Sequence, residues 1–159
     1  MKINDIIGRK IIDKNANDIG KISELLLNTE TFEITSFIAS IGNPLSKKYY
    51  SIKTADINAL GDYIQLKIDK NDLEESKDTK INTPDECKVN ELIGKTVLDK
   101  SGVTIGKISD IEFEEYNITT LQISTSSIIK KELDTITKED ISGIGDYIIL
   151  KKTFKSVEE

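Results

Sequence analysis

The chain has 159 residues, of which 37% are hydrophobic and 31% charged, and this length fits one ordinary domain or two small ones. The formal net charge of −6 argues against binding to a nucleic-acid backbone as the main activity. A single cysteine excludes an internal disulfide, the lack of histidine removes the usual base of nucleophilic catalysis, and no apolar run is long enough to cross a bilayer.

In chain order, each half of the sequence predicts five strands separated by turns. In the first half these are "RKII", a longer segment around Ile22, Leu25 and Leu27, then "ITSFIAS", "KYYSI" and "DYIQLKI". In the second half they are "KTVL", a segment around Ile108, Ile111 and Phe113, then "ITTLQIS", "ELDTI" and "DYIILKK". The pieces "KTADI" and "KEDI" predict a single helical turn before the last strand. The prediction is an all-β fold without any helix of 10 residues or more.

The two halves are copies of each other. The stretch "IIGRKIIDKNANDIGKIS" (6–23) returns as "LIGKTVLDKSGVTIGKIS" (92–109), and "DINALGDYIQLK" (56–67) returns as "DISGIGDYIILK" (140–151). Two residues are missing from the second copy, where "LNTETFEI" (27–34) becomes "FEEYNI" (113–118). A single loop deletion between collinear copies indicates that a whole folding unit has been duplicated.

Two features of the second strand predict local distortions in both copies. The apolar alternation breaks at Ser23 and Glu24, and again at Ser109 and Asp110, which predicts a β-bulge that bends the strand and helps to close a barrel. Gly20 and Gly106 lie inside the strand pattern, where glycine marks a bend or a close approach of two backbones.

The predicted domain boundaries follow the repeat. Residues 1–70 form the first barrel and 91–153 the second, with five to six strands each. Residues 71–90 are polar and charged, which predicts a flexible linker, and 154–159 are expected to be a frayed tail. Domains this small are marginally stable alone, so docking of the halves or dimerisation would add stability.

These motifs resemble the PRC-barrel family: a short strand ending in Asp, a turn, "IGKI" leading into a bent strand, then "DI" followed by "GDYI", all in the same order twice. The resemblance covers nearly the whole chain apart from the linker and tail. It implies small β-barrels that serve mostly as binding modules. The tandem form is similar to archaeal PRC-barrel proteins that act with FtsZ and its membrane anchor SepF in cell division. It thus implies a cytoplasmic, non-enzymatic adaptor that binds SepF or a related PRC-barrel protein and is recruited to the division site at the inner face of the membrane, without inserting directly.

Other functions remain open at this point. The same family supplies a domain of the ribosome-maturation factor RimM, which would imply ribosome maturation or RNA processing, although RimM pairs its PRC barrel with a different N-terminal barrel. A homodimer or a hetero-oligomer of PRC-barrel proteins is a further option. An enzyme acting through carboxylates would need a closed pocket that holds two buried acids. We expect no enzymatic activity, no cofactor, no metal and no nucleic-acid partner.

One stretch resembles a calcium-binding loop. Asp13, Asn15, Asn17 and Glu24 occupy positions 1, 3, 5 and 12 of that pattern. Asp18 stands where the loop needs glycine, and the second copy has Val103, which cannot coordinate a cation, at position 5. A hairpin turn rich in Asp and Asn explains these residues better.

The copies differ at four positions that we predict to bind a partner. The first copy has Phe32, Ile38, Tyr49 and Tyr50 where the second is more polar. Exposed aromatic side chains often anchor protein interfaces. The alternative is that these residues complete the barrel core or the contact between barrels.

Overall fold

The computed structural model describes residues 1–76, 86–125 and 134–154. The chain divides into two compact units. The first unit is formed by Asn4–Asn90, and the second by Met1–Ile3 together with Glu91–Glu159. The described helices are short: α1 (Ile3–Ile6) and α2 (Val89–Leu92) have four residues each, and neither they nor the 3-10 turns could span a membrane.

The first unit is built from strands. These are β1 (Lys10–Ile12), β2 (Asp18–Asn28), β3 (Glu33–Asn43), β4 (Ser46–Lys53), β5 (Ile57–Leu60), β6 (Ile64–Leu66), β7 (Glu74–Ser76) and β8 (Glu86–Lys88). The order across the sheet is β3-β2-β1-β6-β5, with β4 beside β3, β7 beside β4 and β8 beside β2. The β1–β6 pair is parallel and the other pairs are antiparallel. Two 3-10 turns, Thr54–Asp56 and Lys70–Asp72, precede β5 and β7.

The second unit repeats this arrangement. Its strands are β9 (Thr96–Leu98), β10 (Thr104–Glu114), β11 (Asn117–Ser124), β12 (Thr135–Ile136), β13 (Ile141–Ile144) and β14 (Ile148–Leu150). The order β13-β14-β9-β10-β11 matches β5-β6-β1-β2-β3 of the first unit, and β12 lies beside β11. The predicted helical turn is present as a 3-10 turn at Lys138–Asp140. The predicted all-β fold with two small barrel-like domains in tandem is confirmed.

The predicted bulges are present in both units. The register between β2 and β3 shifts between Ile22 and Glu24, and the register between β10 and β11 shifts between Ile108 and Asp110. Each shift inserts an extra residue, which changes the face on which later side chains point. Apolar residues on both sides of the bulge can therefore reach the core, as Ile22 and Leu25 do with 1% and 0% of their surface exposed.

The two glycines before the bulges are sites of close backbone approach, as predicted. A Cβ atom at Gly20 would collide with the carbonyl oxygen of Ser40, and one at Gly106 with the carbonyl oxygen of Ser124. Gly20 also has a φ angle of +106°, which L-residues rarely adopt.

The two-residue deletion falls in the hairpin between the second and third strands. In the first unit, residues 29–32 connect β2 to β3, with Asn28 opposite Glu33. In the second unit, Glu115 and Tyr116 alone connect β10 to β11, with φ angles of 48° and 66°. Two consecutive positive φ angles are typical of a type I′ turn, whose twist suits a tight hairpin.

The predicted boundaries at residues 70, 90 and 153 stay predictions. Part of the predicted linker has regular structure, since β7 and β8 lie within 71–90. Linker residues 77–85, tail residues 155–159 and the beginning of the predicted strand "ELDTI" lie outside the described residues.

Candidate protein-interaction surface

The structure buries three of the four residues predicted to bind a partner. Phe32, Ile38 and Tyr50 are 4%, 6% and 6% exposed, whereas Tyr49 is half-buried. Tyr50 lies in β4 between Ala39 of β3 and Glu75 of β7, so its strand is paired on both sides. This burial corrects the expectation that the four residues form an exposed aromatic surface. Their role in partner binding stays a prediction.

The turn that resembles a calcium loop is held together by one buried carboxylate. Asp13 is 2% exposed, and its Oδ1 accepts hydrogen bonds from the backbone N–H groups of Asn15 (2.9 Å) and Asn17 (2.8 Å). Its Oδ2 accepts from the side-chain amide of Asn17 (3.1 Å) and the backbone N–H of Lys70 (2.9 Å). Burial raises the pKa of Asp13, but these hydrogen bonds lower it by more, so the pKa falls from 3.8 to about 2. The carboxylate is therefore a structural acceptor that ties the β1–β2 turn to the chain after β6.

In the second unit, Asp99 accepts a similar set of hydrogen bonds. The Oδ1 of Asp99 accepts from the N–H groups of Ser101 (2.8 Å) and Val103 (3.0 Å), and its Oδ2 accepts from Phe154 (3.1 Å). Burial raises its pKa, but the hydrogen bonds lower the pKa below the usual value. Val103 donates only its backbone N–H to Asp99. This hydrogen-bond arrangement therefore does not require a polar side chain at position 103. Within the described ranges, no group of three or more His, Cys, Asp or Glu side chains could hold a metal ion.

Glu24, the residue at position 12 of the calcium-loop pattern, instead lies at the bulge of β2. It is 8% exposed, and its Oε1 accepts from the N–H groups of Leu25 (3.0 Å) and Asn90 (3.1 Å). Burial raises the pKa of Glu24, and the hydrogen bonds together with the Lys88 charge offset only part of this rise. Because a raised pKa means that the folded state binds the proton more tightly, the ionised form of Glu24 costs stability at neutral pH.

We expect Glu24→Gln to raise the melting temperature at pH 7 by no more than about 4 °C. Glutamine keeps the acceptor oxygen for Leu25 and Asn90 but removes the buried charge. The benefit should shrink as the pH falls through the folded-state pKa of Glu24, because the wild-type group then becomes neutral. Melting curves of the variant and wild type between pH 4 and 8 measure how the difference in melting temperature depends on pH. Glu24→Ala, which removes the acceptor, should be less stable than wild type throughout, and a Gln variant that behaves like Ala would contradict the assignment.

The most exposed matched aromatic residues lie in a turn that both units share. Tyr63 and Tyr147 are 52% and 54% exposed, although the next residue in each case, Ile64 or Ile148, is fully buried. The turn backbone is fixed by hydrogen bonds from the Gly61 N–H to the Tyr63 carbonyl (3.2 Å) and from its Gly145 counterpart to Tyr147 (2.9 Å). We call the residues 61–63 and 145–147 the Gly-Asp-Tyr turns.

A basic side chain donates a hydrogen bond to each Gly-Asp-Tyr turn. Arg9 Nη1 donates to the carbonyl of Gly61 (2.8 Å), and Lys95 Nζ donates to the carbonyl of Gly145 (2.5 Å). Both basic residues occupy the same position of the repeat, immediately after Gly8 or Gly94. Each turn therefore combines an exposed tyrosine with a basic side chain that is hydrogen-bonded to its glycine.

Open grooves lie near these features. In the second unit, a groove of about 470 Å³ is lined by Glu91, Ile93, Gly94, Lys95, Thr96, Asp146 and Tyr147. Its carboxylates, Glu91 and Asp146, are exposed. In the first unit, a groove of about 500 Å³ lies beside Asp13, whose oxygens already accept four hydrogen bonds. Neither groove is the closed pocket with two buried acids that carboxylate catalysis would need.

Comparison with known families places both repeats in one family. The PRC-barrel domain model matches residues 1–73 and again residues 84–155. The chain belongs to the PRC-barrel family. A comparison with curated proteins found no match.

The Gly-Asp-Tyr turns were not among the residues predicted to bind a partner. The sequence contained a signal for them, because "GDYI" is identical in both copies and alternates an outward tyrosine with an inward isoleucine. The residues predicted to bind a partner lie instead at positions where the two copies differ. Those positions include Phe32 and Tyr50, which the fold uses for packing.

Proposed function

We propose that the protein is a non-enzymatic adaptor that binds protein partners through its Gly-Asp-Tyr turns. The observation that supports this most is the matched exposure of Tyr63 and Tyr147 on turns with a fixed backbone. Tyrosine is among the residues that contribute most to protein interfaces, and a prearranged turn lowers the entropic cost of binding. The buried acids Asp13 and Asp99 serve as acceptors for backbone N–H groups, which supports a role without acid–base chemistry.

The setting that we propose is archaeal cell division based on FtsZ. It rests on the tandem form of the chain, which resembles archaeal PRC-barrel proteins that act with SepF and FtsZ. The partner would be SepF or a related PRC-barrel protein, and a membrane-anchored partner would recruit the adaptor to the division site. Ribosome maturation, as in RimM, is a weaker candidate because the same family model matches both halves. Co-sedimentation with ribosomal subunits would favour that candidate over the division role.

We expect Tyr63→Ala combined with Tyr147→Ala to reduce partner recovery at least tenfold, since truncation of an interface anchor costs about 2 kcal/mol or more. The melting temperature should change by no more than about 2 °C, because both side chains are exposed. The measurement is affinity purification of the tagged full-length chain at native expression, with bound proteins identified by mass spectrometry.

The matched control is Leu45→Ala, which truncates an apolar side chain that is 98% exposed between β3 and β4. It should leave partner recovery unchanged. Equal recovery by the tyrosine variant and wild type would contradict the binding surface. Recovery of proteins that include no division component would contradict the proposed setting while leaving the adaptor function in place.

A further inference from the structure

Each unit contains a segment from the beginning of the other repeat. We call Met1–Ile3 the first arm and Glu86–Asn90 the second arm. The first arm begins the first repeat but belongs to the second unit, and the second arm begins the second repeat but belongs to the first unit. The arms share a pattern, since "KIN" at 2–4 corresponds to "KVN" at 88–90 in the repeat.

The second arm adds a strand to the bent strand of the first unit. β8 runs antiparallel to β2, with Leu26 opposite Lys88 and Asn28 opposite Glu86. Two side-chain contacts reinforce the pairing: Thr35 Oγ1 donates to Glu86 Oε2 (2.6 Å), and the N–H of Asn90 donates to Glu24 Oε1 (3.1 Å).

The first arm occupies the same site in the second unit. Lys2 forms an antiparallel bridge with Glu112, which corresponds to Leu26 in the repeat. The N–H of Phe113 donates to the Met1 carbonyl (2.8 Å), and the Met1 amino group donates to the Phe113 carbonyl (2.8 Å). Both units therefore have a strand-docking site on the second strand of their repeat, and similar arms occupy it.

Each arm has a buried apolar anchor. Ile3 in the first arm and Val89 in the second are fully buried, and they occupy the same repeat position. The strand pairing of each arm is limited, with three paired positions for the second arm and one bridge for the first, so releasing an arm breaks far less strand pairing than unfolding a unit. An equivalent arm from a second copy would form the same contacts, so exchange between copies loses no contact energy.

We propose that the docking sites exchange arms between copies, so that the protein assembles with itself by arm exchange. The occupant is the arm of a second copy of this chain, bound by strand addition to β2 or β10. The inference goes beyond the adaptor function, since it would hold whatever other partner the protein binds. Reciprocal exchange between two chains gives a closed dimer, whereas exchange along a series of chains gives an open assembly.

A disulfide trap at the first arm tests this proposal. In the full-length chain with Cys87→Ser, the changes Lys2→Cys and Glu112→Cys place two cysteines at bridged positions. Oxidation gives a covalent monomer when the arm docks in its own chain, and a covalent dimer when it docks in another. Two copies with tags of different mass are mixed, incubated near the melting temperature, cooled and oxidised, and the products are separated on a non-reducing gel.

The proposal predicts covalent dimers that contain both tags. A ~100-fold rise in protein concentration should raise the ratio of interchain to intrachain disulfide by up to ~100-fold, because intrachain closure is independent of concentration. The single variants Lys2→Cys and Glu112→Cys are the controls and should give neither product at comparable yield. Intrachain disulfide alone at every concentration would overturn the proposal, and so would the failure to form either disulfide.

The unaltered chain provides an independent measurement in case the cysteine variant folds poorly. After the same incubation, sedimentation velocity of wild type should show a dimer or larger species that persists on dilution, because release requires the arms to undock. A species that is monomeric at all concentrations before and after incubation would also overturn arm exchange.

Discussion

Gly20→Ala should destabilise the protein by about 3 kcal/mol. The added methyl group would collide with the backbone carbonyl of Ser40, which cannot move without breaking the pairing of β2 and β3. The φ angle of +106° adds strain for any L-residue. Gly106→Ala meets Ser124 in the same way, and we expect about 2 kcal/mol.

Urea unfolding of the full-length variants measures both effects. Gly143→Ala is the matched control, because no atom lies within 4 Å of a Cβ at that position in β13. It should change the free energy of unfolding by no more than about 0.5 kcal/mol. If all three alanine variants were equally stable, the close approach of β2 to β3 and of β10 to β11 would be wrong.

Asp13→Ala should lower the melting temperature by about 10 °C or more at pH 7. The substitution leaves the N–H groups of Asn15, Asn17 and Lys70 without the acceptor that they have in the wild type. Asp99→Ala should have a similar effect for the same reason. The controls are Asp62→Ala and Asp146→Ala in the Gly-Asp-Tyr turns, where both carboxylates are exposed and little change is expected.

The effect of Asp13→Ala should depend on pH in a defined window. The folded-state pKa of about 2 lies below the ordinary value of 3.8, so ionised Asp13 stabilises the folded protein above pH 4. That contribution is lost as the pH falls from about 4 through about 2, and wild type should approach the variant there. Melting curves from pH 7 down to pH 2 test this. A gap between wild type and variant that stays constant over the whole range would contradict the role of the carboxylate charge.

Features set by neighbouring residues could be predicted from the sequence. The break in alternation at Ser23 and Glu24 shows the bulge because an extra residue reverses the side-chain phase within one strand. The single helical turn before the last strand and the shortened hairpin of the second copy are equally local. Duplication strengthened each of these predictions, since the same irregularity occurred twice.

Features that depend on distant partners could not be predicted in this way. Periodicity assigns Tyr50 to a strand but does not show that this strand pairs with β7, which comes from the segment predicted to be a linker. The Asn15 and Asn17 contacts of Asp13 are local, whereas the Lys70 contact comes from 57 residues away. The arms were missed for the same reason, because a repeat shows which segments are alike and not which strand each one joins.

The most direct test of the adaptor function is site-specific photo-crosslinking in the native cell. A photo-reactive aromatic amino acid replaces Tyr147, which preserves the size of the side chain at its 54% exposed position. Irradiation should couple the protein to a distinct partner, identified by mass spectrometry, and the same probe in place of Leu45 should give no such product. Equal, diffuse labelling from both positions would contradict the claim that the Gly-Asp-Tyr turns bind protein partners.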